Sequence, residues 1–315
     1  MKRLSRKDLL DLESVSEAEI RLILDQAEAF REVALRPVKK VPALRGKTVI
    51  NLFFEPSTRT ATSFQLAAQR LSADVVDIKV ADSSVKKGET LLDTVATFEA
   101  MDLSVLIMRT SHAGSAAMVA ANTKASIVNA GDGMHEHPTQ ALLDLFTLRR
   151  HFGRIDGLEV AVVGDVLHSR VARSDVWGLL KLGAKVRLCG PTTLCPRDIL
   201  GLWPGAPVKV FHDLREALEG VDAVQVLRIQ MERLQRHLFP STREYSRLYA
   251  LTSERLAVAK PTCLVMHPGP MNRGLEISSG VADGPQSVIG EQVSNGVAVR
   301  MAVLYLLAGN EAEAA

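Results

Sequence analysis

Lys47-Thr48-Val49-Ile50-Asn51-Leu52-Phe53-Phe54-Glu55-Pro56-Ser57-Thr58-Arg59-Thr60 is the stretch on which the fold turns. Its first eight residues are rich in β-branched and aromatic side chains and predict a buried strand. Beyond Thr60, Phe64, Ala67, Ala68 and Leu71 recur at helical spacing. Between strand and helix lies Pro-Ser-Thr-Arg-Thr. Ser57 or Thr58 is expected to cap the helix, whose first N–H groups have no intrahelical partners. Those donors, three hydroxyls and one guanidinium converge on a point that suits an anion of phosphate size. A plain capped helix with a surface Arg is the simpler reading. Hydroxyl-hydroxyl-Arg-hydroxyl directly behind a buried strand favours the anion.

Outward from this hinge the pattern repeats. Upstream, Ser16–Leu35 has helical period and a capping box in Ser16 and Glu19, and Pro37 and Pro42 break it. Downstream come strands at Asp74–Val80, Leu103–Met108 and Ser126–Ala130, with helices up to Ala100 and around Gly114–Ala121. Strand and helix alternate four times, which predicts a parallel α/β sheet. A helix from Pro138 to His151 bridges to a second half, with a boundary near Gly153–Gly157. The second half has strands at Leu158–Val163, Lys185–Cys189, Pro207–Phe211, Asp222–Leu227 and Leu264–Met266, and a long apolar helix at Val293–Leu307. The expected fold is α/β: two doubly wound parallel-sheet domains joined by interdomain helices. The expected division is 1–144, 145–292 and a C-terminal helix, 293–315, packing back on the first domain.

A length of 315 residues fits two cores. A net charge of +2 argues against nucleic acid as the partner. Cys189, Cys195 and Cys263 are an odd, scattered set that supports neither a disulfide framework nor a zinc site. Met1–Asp8 lacks the apolar core of a signal peptide, and the apolar stretch near Val297–Leu307 is too short to span a bilayer. A cytoplasmic protein with no membrane contact is expected.

In parallel sheets ligands bind beyond the carboxyl ends of strands, where Thr58–Thr60, Arg109 and His137–Gln140 all fall. Arg170 and Arg228 stand at strand ends of the second half, with Gln230 close by. Their plainer role is an ion pair with Asp165 or Asp222. Their sharper role is to fork two carboxylates of a second substrate. His135-x-His137 lacks an evident third metal ligand, so no metal is expected and His135 reads as an exposed loop residue. His137 opens a helix and is placed to donate to an oxygen that gains charge. Gly164-Asp165-Val166 lacks the dinucleotide fingerprint, which argues against a dehydrogenase. Lys86-Lys87-Gly88-Glu89 reads as a solvated charge run, and Met231–Leu251 as a mobile polar loop or a lid.

Several separated motifs resemble the transcarbamoylase family, from Phe53 to about Ile277. Ser57-Thr58-Arg59-Thr60 is similar to its carbamoyl-phosphate loop, and His137-Pro138-Thr139-Gln140-Ala141-Leu142-Leu143-Asp144 to its second signature. Ser83-Ser84-Val85-Lys86-Lys87-Gly88-Glu89-Thr90 resembles the mobile loop of the aspartate branch. His267-Pro268-Gly269-Pro270 stands where the ornithine branch has His-Cys-Leu-Pro.

The resemblance implies transfer of a carbamoyl group from carbamoyl phosphate to the amine of L-aspartate, early in pyrimidine biosynthesis, with no cofactor. By motif, Ser57, Thr58, Arg59, Thr60 and Arg109 hold the phosphate. Thr60, Arg109 and His137 polarise the carbonyl, and Gln140 lies near the amide. Arg170, Arg228 and Gln230 hold the aspartate carboxylates, with main-chain contacts from Gly269 and Pro270. Lys87, with Ser83 or Ser84, is implied to enter from the neighbouring chain of a homotrimer. A regulatory chain and a dihydroorotase are candidate partners. Many relatives carry Leu where this chain has Gly269, which bears on loop stiffness. The competing expectations are a carbamoyltransferase for another amine, such as ornithine, and an inactive scaffold. Paired arginines and a Lys-Lys loop suit a cationic substrate poorly, and no matched position is lost.

Overall fold

A computed structural model describes residues 4–79, 90–230 and 241–309. The chain divides into two compact units: Met1–Phe146 with Ser294–Ala315, and Thr147–Val293.

In the first unit the elements run α1 (Glu17–Ala34), β1 (Thr48–Phe53), α2 (Thr58–Arg70), β2 (Asp74–Lys79), α3 (Leu91–Glu99), β3 (Leu103–Thr110), α4 (Ser115–Ala120) and β4 (Ser126–Asp132), and α5 (Pro138–Phe152) starts in this unit and ends in the second. The capping box forms as the sequence suggests: the Ser16 hydroxyl accepts from the Glu19 N–H, and Glu19 accepts from the Ser16 N–H. The strands make one parallel sheet in the order β2-β1-β3-β4. Ile50, Leu52, Leu106, Met108 and Ile127 of the sheet pack against Val95, Phe98, Ala116 and Val119 of α3 and α4. Val80, expected to close β2, lies outside the described residues.

The second unit runs β5 (Glu159–Val163), α6 (Arg170–Lys181), β6 (Lys185–Cys189), a 3-10 turn at Arg197–Leu202, β7 (Val208–Phe211), α7 (Leu214–Leu218), β8 (Ala223–Val226), α8 (Thr242–Tyr249), α9 (Ser253–Leu256), β9 (Leu264–Met266) and α10 (Ser279–Ala282). These strands form a parallel sheet in the order β7-β6-β5-β8-β9. Finally, α11 (Ile289–Ala308) starts in the second unit and ends in the first. There Phe30 meets Tyr305 edge-on, with ring centroids 5.5 Å apart.

Two expectations need correction. Met231–Leu251 is not loop throughout, because Thr242–Tyr249 is helical, capped by Ser241, with Tyr245 and Tyr249 buried. Tyr245 and Tyr249 are four apart and so share the face that the core covers, a spacing hidden among the arginines. Residues 231–240, including Arg233 and Arg236, lie outside the described residues. The second correction concerns Ser57. It is the N-cap of α2, but its side chain makes no capping hydrogen bond. By contrast Ser16, Thr90, Ser169, Asp213, Ser241 and Thr252 each cap their helices in this way.

Candidate functional site

Each sheet has one point where strand order reverses. In the first it lies between β1 and β3, and in the second between β5 and β8. At such a point successive crossovers leave to opposite faces and open a crevice beyond the carboxyl ends.

The first crevice is flanked by the turn at Ser57–Thr60, by Arg109 and by the entry to α5. Phe53 is level with Arg109 in the sheet, and the Phe54 N–H donates to the Arg109 carbonyl at 2.9 Å. The Arg109 side chain reaches both neighbouring strands. Its Nε lies 3.5 Å from Glu55 Oε2, and its Nη1 donates to the Ala130 carbonyl at 3.4 Å. Thr58 and Arg59 are exposed, Ser57 is half-buried and Thr60 is buried. Arg109 and the 57–60 turn therefore share one edge of the sheet.

From β4 the chain reaches His137, which is 4% exposed, through a buried polar frame. Burial works against ionising Asp132. Hydrogen bonds from His135, Asn129 and the Gly114 N–H outweigh it and hold the carboxyl below its usual range. The same Asp132 bond raises the His135 pKa. His135 is thus half-buried and paired, not the exposed loop residue expected. An acid three positions earlier was the available signal. Glu136 turns the other way and accepts from the Leu12 N–H at 2.7 Å and the Glu13 N–H at 3.2 Å. Among the described residues no group of three or more His, Cys, Asp or Glu is placed to hold a metal ion.

Gln140, in the first turn of α5, donates from Nε2 to Asp144 at 3.1 and 3.3 Å. Asp144 is also the carboxylate that favours the cationic form of buried Arg300, whose pKa burial lowers to about 10. Arg300 donates to the Ser63 hydroxyl at 2.9 Å and lies over the Phe64 ring at 5.0 Å. Residues on α2, α5 and α11 are linked in this way. Glu55, Asp144 and Arg300 were given no role by the sequence reading. Asp144 lies one helical turn after Gln140, and Arg300 is a lone charge in an apolar run, so both had a legible signal.

In the second crevice Arg170 is the first residue of α6 and is 4% exposed. Arg228 and Gln230 follow β8 and are half-buried. The two strands meet closely here: the Leu227 N–H donates to the Val163 carbonyl at 2.8 Å. A Cβ on Gly164, at φ +133°, would stand 3.0 Å from Leu227 Cβ, so the turn after β5 needs glycine. Asp222 cannot serve these arginines, because it precedes β8 at the opposite end. There it accepts from Lys260 Nζ at 2.7 Å and the Glu159 N–H at 2.9 Å. Asp165 accepts from the His168 ring at 2.8 Å. Gly269 and Pro270 follow β9 and are joined by a cis peptide bond, with Gly269 at φ +63°. Ser83 and Lys87 lie outside the described residues.

Two family models match the chain. The "aspartate/ornithine carbamoyltransferase, carbamoyl-P binding domain" covers residues 7–150, and the "Asp/Orn binding domain" of the same family covers 156–307. The chain is 60% identical to the aspartate carbamoyltransferase catalytic subunit of Halothermothrix orenii, over 98% of its own length and 97% of that protein. A crystal structure of Trypanosoma cruzi aspartate transcarbamoylase with N-(phosphonacetyl)-L-aspartic acid superposes with a TM-score of 0.87 at 32% identity, covering 95% of each chain. Ornithine carbamoyltransferase from Pyrococcus furiosus superposes with a TM-score of 0.89 at 28% identity, covering 98% of this chain and 99% of that one.

Proposed function

The chain belongs to the aspartate/ornithine carbamoyltransferase family, and on that footing we infer that it transfers the carbamoyl group of carbamoyl phosphate to L-aspartate. The products are N-carbamoyl-L-aspartate and phosphate, in an early step of pyrimidine biosynthesis. The observation that carries this is the Ser57–Thr60 turn beside Arg109 at a sheet switch point, in a chain 60% identical to an aspartate carbamoyltransferase catalytic subunit.

In this reading residues 1–144 bind carbamoyl phosphate and 145–292 bind aspartate, while 293–315 return to the first domain. Ser57, Thr58, Arg59, Thr60 and Arg109 hold the phosphate group. The Ser57 hydroxyl, not used as a cap, suits that work, as do the first N–H groups of α2. Arg170, Arg228 and Gln230 fork the two aspartate carboxylates, and the main chain at Gly269 and Pro270 completes that subsite.

The aspartate amine attacks the carbamoyl carbon. A C–N bond forms, the carbonyl oxygen gains charge, and Thr60, Arg109 and His137 stabilise it with fixed donors. Gln140 orients the amide. The C–O bond to phosphate then breaks, and the departing phosphate takes the amine proton. Holding two anions in register supplies much of the rate. Written this way, the reaction calls on no metal or organic cofactor.

A cytoplasmic homotrimer completes the reading, with Ser83 and Lys87 reaching the site of a neighbouring chain. The relatives named as catalytic subunits support a regulatory partner. Among the described residues no helix is long and apolar enough to cross a membrane. The test is a pair of variants. Arg228→Ala is expected to raise the aspartate KM at least tenfold while phosphate still binds, and Arg59→Ala to weaken phosphate binding itself. The reverse pattern would refute the assignment of subsites.

A further inference from the structure

Beyond β9 the chain forms a loop whose two limbs are joined by a buried polar cluster. The Gly269 N–H donates to His267 Nδ1 at 2.8 Å. With that nitrogen accepting, the ring proton sits on Nε2 and faces Glu276 Oε1 at 3.2 Å. The side chains of His267 and Glu276 are fully buried. The same Glu276 oxygen accepts from the Asn272 N–H at 2.5 Å, and Gln292 Oε1 accepts from the His267 N–H at 2.9 Å. The cluster fixes the shape of the loop, but all these bonds lie within residues 267–292.

The Asn272 side chain leaves the cluster. Asn272 Nδ2 donates to the Ile229 carbonyl at 2.9 Å. Ile229 is fully buried and sits between Arg228 and Gln230, in a segment that continues β8 without being paired as a strand. The Asn272 amide therefore grips the main chain midway between two proposed aspartate contacts. Its own backbone is fixed, through Glu276 and His267, to the N–H of a third, Gly269.

We propose that Asn272 is a positioning residue for the second substrate, setting the spacing between the Arg228–Gln230 segment and the Gly269–Pro270 loop. This rests on the reading that both segments contact aspartate. Asn272 touches no reacting atom; it acts through the main chain of Ile229. The bond joins two neutral groups and is half-buried, so its loss is worth about three- to tenfold in an equilibrium that depends on it. Arg228 and Gln230 have little tolerance for a shift of the segment that carries them.

The experiment compares wild type, Asn272→Ala, Asn272→Asp and Arg228→Ala in steady-state transfer, with melting temperature as a folding control. The expected result for Asn272→Ala is an aspartate KM raised about three- to tenfold, with the carbamoyl phosphate KM and the kcat at saturating aspartate within about twofold of wild type. Asn272→Asp turns a carboxylate oxygen toward the Ile229 carbonyl and is expected to raise the aspartate KM further. An unchanged aspartate KM in both Asn272 variants, beside a large rise in Arg228→Ala, overturns the positioning role alone. Parallel rises in both substrate KM values also overturn it, since a loosened fold has no reason to single out aspartate. A wild-type aspartate KM in Arg228→Ala overturns the underlying subsite, and the positioning role with it.

Discussion

Arg109 Nε and Glu55 Oε2 lie 3.5 Å apart at neighbouring strand ends, each side chain less than one-fifth exposed. The guanidinium proposed to hold phosphate thus has an internal carboxylate beside it, and under that proposal an arriving phosphate is expected to compete with Glu55 for Arg109. Half-buried pairs of this kind contribute up to about 1 kcal/mol. In Glu55→Gln the competitor is neutral, and inorganic phosphate is expected to bind about two- to fivefold tighter by calorimetry. Weaker binding would mean that Glu55 aims Arg109 and does not compete for it.

Asp144 accepts from Gln140 and its charge favours the Arg300 cation, so its removal should be felt twice. Both Asp144 and Arg300 are 4% exposed. Removing the Asp144 carboxylate takes away a charge that favours the Arg300 cation and an acceptor of Gln140, at a cost of roughly 1–3 kcal/mol. Asp144→Ala is expected to lose stability in that range by urea unfolding, and Asp144→Ala with Arg300→Met to recover part of it. Catalytic efficiency should stay low in the double variant, because Gln140 still lacks its acceptor.

Glu19 supplies a pH signature. Burial opposes its ionisation, but hydrogen bonds from Arg6, the Ser16 N–H and the Ser5 and Ser16 hydroxyls outweigh that and bring its pKa from 4.5 to about 2. A folded-state pKa below the unfolded one stabilises above the unfolded value, and the gain is lost as pH falls through the folded value. Glu19→Gln is expected to cost on the order of 2–3 kcal/mol at pH 7. The gap from wild type should shrink between pH 4.5 and about 2. A gap independent of pH would mean that packing, not charge, holds Glu19.

Lys87 and Arg59 are expected to act in one site from different chains. Each of Lys87→Ala and Arg59→Ala is expected to be nearly inactive alone. Mixed trimers would contain some sites free of both substitutions and should recover activity. Verified mixed trimers with no recovery would count against a site shared between chains.

Much of the architecture is legible because parallel strands buried on both faces read as short apolar runs: Thr48–Phe53 and Glu159–Val163 differ little from their expected bounds. The Ser57–Thr60 turn is equally plain, since strand, hydroxyls and helix are contiguous. Contacts that close only in three dimensions are harder to read. Asn272 and Ile229 are 43 positions apart, and nothing around either residue announces the other. Short helices were also missed: Leu214–Leu218 and Ser253–Leu256 are too brief to show a period, though Asp213 and Thr252 cap them. His135 reads as exposed when Asp132, three positions earlier, is given no part; in the fold Asp132 is its partner.

The central claim is that this chain carbamoylates aspartate. Phosphate release from carbamoyl phosphate, measured with L-aspartate and L-ornithine side by side, tests it most directly. Saturable release with aspartate and none above background with ornithine is the expected result. Release with ornithine alone, or with neither from folded protein, would contradict it.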